Sequence, residues 1–227
     1  MFGSLFRRRT NQAAPIPFYR PYQNDPVNHL YNLLFCDNPA LFRTNDASDG
    51  PIGAVLSGAT DTLERIGNDL EMESRVRILA FNRLRAMQIA VPPKRLLGTI
   101  IEVRQEGGLD VLAAFADGRL RYINQSEKLA IFEVTPPGLI EKVEELLRVS
   151  QLIVNHYGPW DGPRRAPPKG DLIRMSFLAS DGLYFGEGRY AQLMQDHFAL
   201  PVLKASGELL RLMVRAALEK DKNDNST

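Results

Sequence analysis

The sequence predicts an α+β protein, a mainly antiparallel sheet of Asp-Gly hairpins covered by helices and preceded by a helical region. Three observations carry this expectation. Up to Pro93 the apolar residues recur at helical spacing between loops. At Lys94 the composition switches to β-branched apolar runs such as LGTIIEV, from Leu97 to Val103. The pairs Asp117-Gly118 and Asp181-Gly182 then join neighbouring runs by tight turns. Strands joined by tight turns, not helical crossovers, run antiparallel.

Taken in order, residues 1–24 read as an extended or flexible arm. Within it, Met1 to Arg9 (MFGSLFRRR) places Phe2, Leu5 and Phe6 on one helical face beside Arg7, Arg8 and Arg9. That is a candidate contact with anionic lipid headgroups, although one or two turns anchor weakly. Four prolines between Ala13 and Pro26 alternate with Phe18, Tyr19 and Tyr22, as expected of an extended arm packed by its aromatics. Residues 25–93 read as a helical region packed on the main domain. Asp25-Pro26 supplies an N-cap and a first-turn proline, Val27 to Phe35 is densely apolar, and Asn38-Pro39 closes the helix. Thr44 to Gly58 reads as a loop with one helical turn. Helical patterning runs from Thr60 to Gln88 with a break near Gly67-Asn68-Asp69, and Val91-Pro92-Pro93 ends it.

Residues 94–219 form the expected antiparallel α+β domain. Strands are predicted over Leu97–Val103, Leu109–Ala116, Arg119–Asn124 and Leu129–Val134, with a two-residue type I′ turn at Asp117-Gly118. Leu139, Val143, Leu146, Leu147, Ser150, Val154 and Tyr157 recur every three or four residues, which predicts a helix over 138–157. After the proline-rich Gly158–Gly170 come a second hairpin about Asp181-Gly182 and helices over Arg189–Phe198 and Pro201–Leu218. Residues 220–227 read as a flexible polar tail. Phe115 to Gly118 with Glu145 to Arg148 echoes Ala179 to Gly182 with Glu208 to Arg211. Both units are hairpin then helix; duplication and chance recurrence of common motifs both account for them.

Composition narrows the function. In 227 residues, 28 basic and 27 acidic side chains leave a net charge of +1. That balance argues against nucleic-acid binding by bulk electrostatics. A single cysteine, Cys36, excludes an internal disulfide and any multi-cysteine metal site. No apolar run reaches membrane-spanning length and no cleavable signal peptide is read, so a soluble cytoplasmic protein is expected.

The segments ESRVRILAFNRLRAM (Glu73 to Met87), EGGLDVLAAFADGRLRYIN (Glu106 to Asn124) and ASDGLYFGEG (Ala179 to Gly188) resemble those of a bacterial family of uncharacterised proteins. The resemblance covers most of the chain after the arm. It implies a bacterial origin, and it brings no activity, ligand or catalytic residue with it.

Each candidate for chemistry has a plainer structural explanation beside it. Cys36 could act as a nucleophile with His29, His156 or His197 as base, but it ends an apolar helix, where a thiol packs as a small hydrophobe. No short-spaced histidine or carboxylate pair suggests a metal, and no cofactor is expected. Gly186-Glu187-Gly188 stands between a strand and a helix, yet it lacks a phosphate-binding lysine and carries a repelling glutamate. Arg75, Arg77, Arg83 and Arg85, at about 100° per residue, encircle their helix and read as ion-pairing and snorkelling groups.

The remaining feature is the loop around the only tryptophan. Trp160, Asp161, Arg164 and Arg165 lie among four prolines. Trp and Arg dominate interface hot spots, and a proline-stiffened loop loses little entropy on docking. The alternative is a crossover in which Trp160 plugs the sheet edge. The expected function is a non-catalytic, cytoplasmic adaptor or regulatory protein that binds another protein, its oligomeric state left open. Two other readings stand beside it: a hydrolase-type enzyme assembled from distant residues such as Asp110, Glu187, His156 or Cys36, and a membrane-peripheral scaffold working through Met1 to Arg9.

Overall fold

The structure, a computed structural model, describes residues 17–43 and 50–224. Its first helix, α1 (Asp25–Leu33), is capped by Asn24 and not by Asp25 as expected; the Asn24 side chain accepts from the Val27 N–H at 3.4 Å. Asp25 falls instead in the first turn, where it pairs with Arg20. A 3-10 turn, Pro39–Phe42, follows under an Asn38 cap that accepts from Ala40 at 3.1 Å. Then come α2 (Pro51–Ser57), α3 (Thr60–Asn68) and α4 (Ser74–Ala86). The expected break falls between α3 and α4. Gly67 is required there, because a Cβ would stand 2.8 Å from the Phe81 ring.

The strands are β1 (Leu96–Gln105), β2 (Gly108–Phe115), β3 (Leu120–Ile123), β4 (Leu129–Phe132), β5 (Leu172–Ala179) and β6 (Gly182–Arg189). They form one sheet in the order β4-β3-β2-β1-β5-β6, antiparallel at every step. Helix α5 (Pro137–His156) connects β4 to β5, and α6 (Tyr190–Leu193) and α7 (Ala199–Asp224) follow β6. The two-residue period of the strands divides the core. Ile100, Val111, Ala113, Phe115 and Leu178 pack with α1 to α4, whereas Ile101, Leu112, Ala114, Met175 and Phe177 pack with α5 and α7. The result is helices, sheet and helices in three layers.

The β2–β3 turn differs from the expected type I′. Only Gly118 has positive φ, at 84°, and Phe115 N–H reaches Arg119 O at 3.0 Å, so the loop has three residues. That is the geometry of a type I turn ending in a left-handed glycine. The cause is Asp117, whose carboxylate accepts from Ser74 N at 2.8 Å and Arg119 N at 3.1 Å. Ser74 Oγ in turn accepts from Asp117 N at 3.0 Å. Asp117 thus caps α4 from 43 residues further along the chain, a task that fixes its conformation.

The helix expected over Arg189–Phe198 is a single turn. Asp196 stops it by accepting from Phe198 N (2.9 Å) and Ala199 N (2.8 Å), which starts α7 two residues before Pro201. Helix α7 continues to Asp224, into the stretch read as a tail. The sequence echo has no matching symmetry. Strands β2 and β5 both run antiparallel to β1 on opposite sides of it, and β3 and β6 extend outward from them. Yet α5 and α7 cover the same face, so the two hairpin–helix units are of opposite hand and no rotation superposes them.

Candidate functional site

The arm from Pro17 is held by two asparagines one turn apart on α1. Asn28 exchanges hydrogen bonds with the Tyr22 backbone (2.9 Å both ways), and Asn32 does so with the Tyr19 backbone (3.0 and 2.7 Å). Tyr19 Oη then donates to Arg164 O at 2.7 Å, fastening the arm to the proline-rich loop.

That loop sends its consecutive arginines in opposite directions, as an extended chain does. Arg164 turns inward and is 4% exposed. Its Nε donates to Asp37 Oδ2 at 2.6 Å, its Nη2 to Asn32 Oδ1 at 2.9 Å, and its guanidinium lies 4.1 Å from the Phe35 ring centre. Arg165 turns outward and lies over Trp160 (5.0 Å) and Phe185 (5.3 Å). Trp160 is half-buried: its backbone N–H donates to Leu183 O at 2.7 Å and its indole meets Phe185 edge-on at 5.3 Å. It does plug the edge at β6. Asp161 is exposed. Of the four residues expected to meet a partner, Arg164 is thus withdrawn into the core, where its charge has a structural partner.

Beneath the loop, the β1–β5–β6 register brings Glu102, Arg174 and Glu187 side by side. Glu102 is fully buried and accepts from Tyr31 Oη at 2.7 Å, while its Oε2 has no partner among the described residues. Burial pushes the Glu102 carboxyl up, against the pull of the Tyr31 hydrogen bond and of Arg174 and Arg164. Burial, with Glu102 beside it, likewise raises the Tyr31 phenol. Arg174 binds Glu187 through Nε at 2.9 Å and donates to Arg165 O at 3.1 Å. Arg174 and Glu187 thus make an ion pair inside the protein, beside the buried Glu102.

A cavity of about 380 Å³ opens between this loop, α4, the end of α1 and the β5–β6 turn. Phe35, Ile78, Leu178 and Leu183 give it an apolar wall, and Asp37 and Arg164 line it as well. Two polar atoms here, Asp37 Oδ1 and Arg164 Nη1, are buried without a hydrogen-bond partner among the described residues. Arg85 closes one side, held by Asn82 Oδ1 (2.6 Å) and Asp181 O (3.1 Å).

The other candidates are dispersed. Cys36 is buried against the carbonyls of Leu33 and Leu34, and burial raises its thiol. His29, His156 and His197 are exposed, with His156 stacked 4.6 Å from Phe198. Asp110 accepts from Gln125 N and lines a groove beside α7, whereas Glu187 lines a hollow at the β6 edge. They share no cleft. Gly186 and Gly188 lie within β6, with Glu187 committed to Arg174. The α4 arginines do more than pair with acids: Arg77 donates to Gly67 O (3.1 Å) and Arg83 to Val55 O, closing the ends of α3 and α2. Among the described residues, no cluster of three or more His, Cys, Asp or Glu could hold a metal ion. Nor is any helix among them long and apolar enough to cross a membrane. Phe2, Leu5, Phe6 and Arg7 to Arg9 lie outside the described residues.

Asp37, Asn82, Glu102 and Arg174 were not singled out from sequence, and Arg85 was read only as an ion-pairing or snorkelling group. Two of them left a signal: Glu102 in LGTIIEV and Arg174 in LIRMSFLA are charges inside strands whose neighbours are all core. In comparisons with known proteins, no family model, curated protein or solved structure matches the chain.

Proposed function

We propose that the protein is a non-catalytic binding protein that recognises another protein through the surface around Trp160, with the cavity beneath the proline-rich loop as its anchor pocket. The observation that carries this reading is the cavity itself, apolar on one wall and lined at its mouth by Trp160 and the exposed Asp161. Hot spots in protein interfaces sit in such pockets, ringed by groups that exclude water. Trp160, Asp161 and Arg165 form that rim. The loop is already held by Trp160 N–H on Leu183 O and by Trp160 Nε1 on Pro163 O at 3.0 Å, so docking orders little that is loose.

The test is capture from the native cells with tagged wild-type protein and with the Asp161→Lys, Arg165→Glu double variant. Both changes are on exposed residues, so the thermal midpoint stays as in wild type. A protein recovered by wild type, reduced at least tenfold with the variant, and binding the purified wild type with the same dependence is the expected result. Equal recovery by both proteins, or none by either, overturns the reading.

A further inference from the structure

The two edges of the sheet are finished differently. At β6, Trp160 N–H donates to Leu183 O, so the proline-rich loop occupies the start of that edge. At β4 no described residue does so. Asn124 N–H donates to Lys128 O at 3.0 Å, which sets the alternation of the β3–β4 ladder. Ala130 and Phe132 therefore turn their backbone groups to β3. The N–H and C=O of Leu129 and Ile131 point the other way, where β4 has no neighbour. Their side chains are each 46% exposed. Edge strands are ordinarily blunted by a charge, a proline or a bulge, and the run Leu129 to Phe132 has none of these.

Helix α7 reaches the same edge and outruns it. It starts beside the end of α5, where Phe198 stacks on His156, and crosses the sheet to β4. Lys142, five residues into α5 from Pro137, binds Glu208 at 2.7 Å. Five residues beyond Glu208 is Met213, the last buried residue of α7 among those described. Residues 214–224 thus continue past the helix that α7 packs on. The lengths agree, since 26 helical residues span about 39 Å and six strands about 24 Å. Val214 and Leu218 are exposed on this overhang, and Val134 and Ile140 are exposed in a hollow where α5 begins.

We infer that the β4 edge is a dimer interface and that its occupant is a second copy of this chain, paired antiparallel through β4 about a twofold axis. An axis beside Ala130 places Leu129 opposite Ile131 of the second copy, which pairs all four outward backbone groups of each strand. A lone peptide strand on β4 would leave the end of α7 uncovered. A second copy extends the sheet and the helical layer above it together, so the overhang of each α7 lies over the other copy, near its Val134 and Ile140. Charge does not oppose the pairing: Arg119 is matched by Asp117 and Glu133, Arg121 by Glu133, and the whole chain carries only +1.

Sedimentation velocity on the full-length protein reads the mass directly. At about 100 µM the wild type should sediment at twice the chain mass of 25.5 kDa and dissociate on dilution. Ile131→Lys puts a charge on the pairing edge at a residue that is half exposed, and should raise the dissociation constant at least tenfold. Leu218→Asp on the overhang should do the same, and it carries the test if circular dichroism shows the first variant unfolded. A wild type that stays monomeric at that concentration, or a dimer that the folded variants form as tightly as wild type, overturns the inference. So does a dimer lost in the Asp161→Lys, Arg165→Glu variant and kept in the other two, which would place the interface at the proline-rich loop.

Discussion

The two faces of the sheet are built on different principles. Towards α5 and α7 the buried polar side chains are hydroxyls, Thr99, Ser150 and Ser206, among a continuous aliphatic and aromatic core. Towards α1 to α4 the same sheet buries Glu102 and Arg174, and the overlying layer adds Asn28, Asn32, Arg77 and Arg164. An apolar face gains stability roughly in proportion to the area it removes from water. A charged face must match each group to a partner, and losing one partner strands another. The difference teaches what kind of group each face leaves over: towards α5 and α7 it is the hydroxyls of Thr99 and Ser150, whereas towards α1 to α4 it is atoms of charged side chains, Glu102, Arg77, Arg164 and Asp37 among them.

The comparison breaks most sharply at Arg174. Arg174→Met should cost about 3–5 kcal/mol in urea unfolding, because Glu102 and Glu187 lose their shared counter-charge inside the protein. On the opposite face, Leu209→Ala should cost about 2–5 kcal/mol through the cavity it leaves, yet leave the Trp160 emission unchanged. A stability loss together with an altered indole signal would mean the faces are not independent. Tyr31→Phe is expected to cost about 1–3 kcal/mol, measured the same way, since it leaves both Glu102 oxygens without a hydrogen bond.

The pH dependence sharpens the contrast. Glu102 has its carboxyl raised in the folded protein, so folding favours its protonated form. Its contribution is therefore full below the ordinary carboxyl value of about 4.3 and is lost as pH rises through the raised value. Glu102→Gln removes that titration while keeping an oxygen for Tyr31. The stability of the variant relative to wild type should grow as pH rises above the ordinary carboxyl value of about 4.3, read by urea midpoints. A flat difference would show that Glu102 titrates normally. The smallest effect is at the rim: Asp161→Lys should change stability by no more than about 0.5 kcal/mol.

Most of the architecture could be read from the chain because it rests on local signals. The period of two in RLRYIN, the spacing from Leu139 to Val154 and the prolines at 92 and 93 each act within a few residues. One difference came where a distant residue took control, since Asp117 gave up the two-residue turn to cap α4; another was local, since Asp196 cut short a helix by capping the next. The site was harder to read, since its groups come from five separate stretches. Trp160 was legible as an unusual residue in a stiff loop, but nothing adjacent to it distinguishes Arg164 from Arg165. Only the position of Asp37 and Asn32, more than a hundred residues earlier, decides which of the two goes inward.

That same separation has a consequence for how the molecule is made. Tyr19 meets Arg164 across 145 residues, and Asp37 meets it across 127. As the chain leaves the ribosome, helices α1 to α4 emerge first with Asp37 still awaiting Arg164, and β1 emerges with Glu102 awaiting Arg174. The first-made layer is thus the last to be finished. Such distant pairings slow folding and prolong exposure of unfinished surface, so the nascent N-terminal half is the part of this protein that depends most on protection during synthesis.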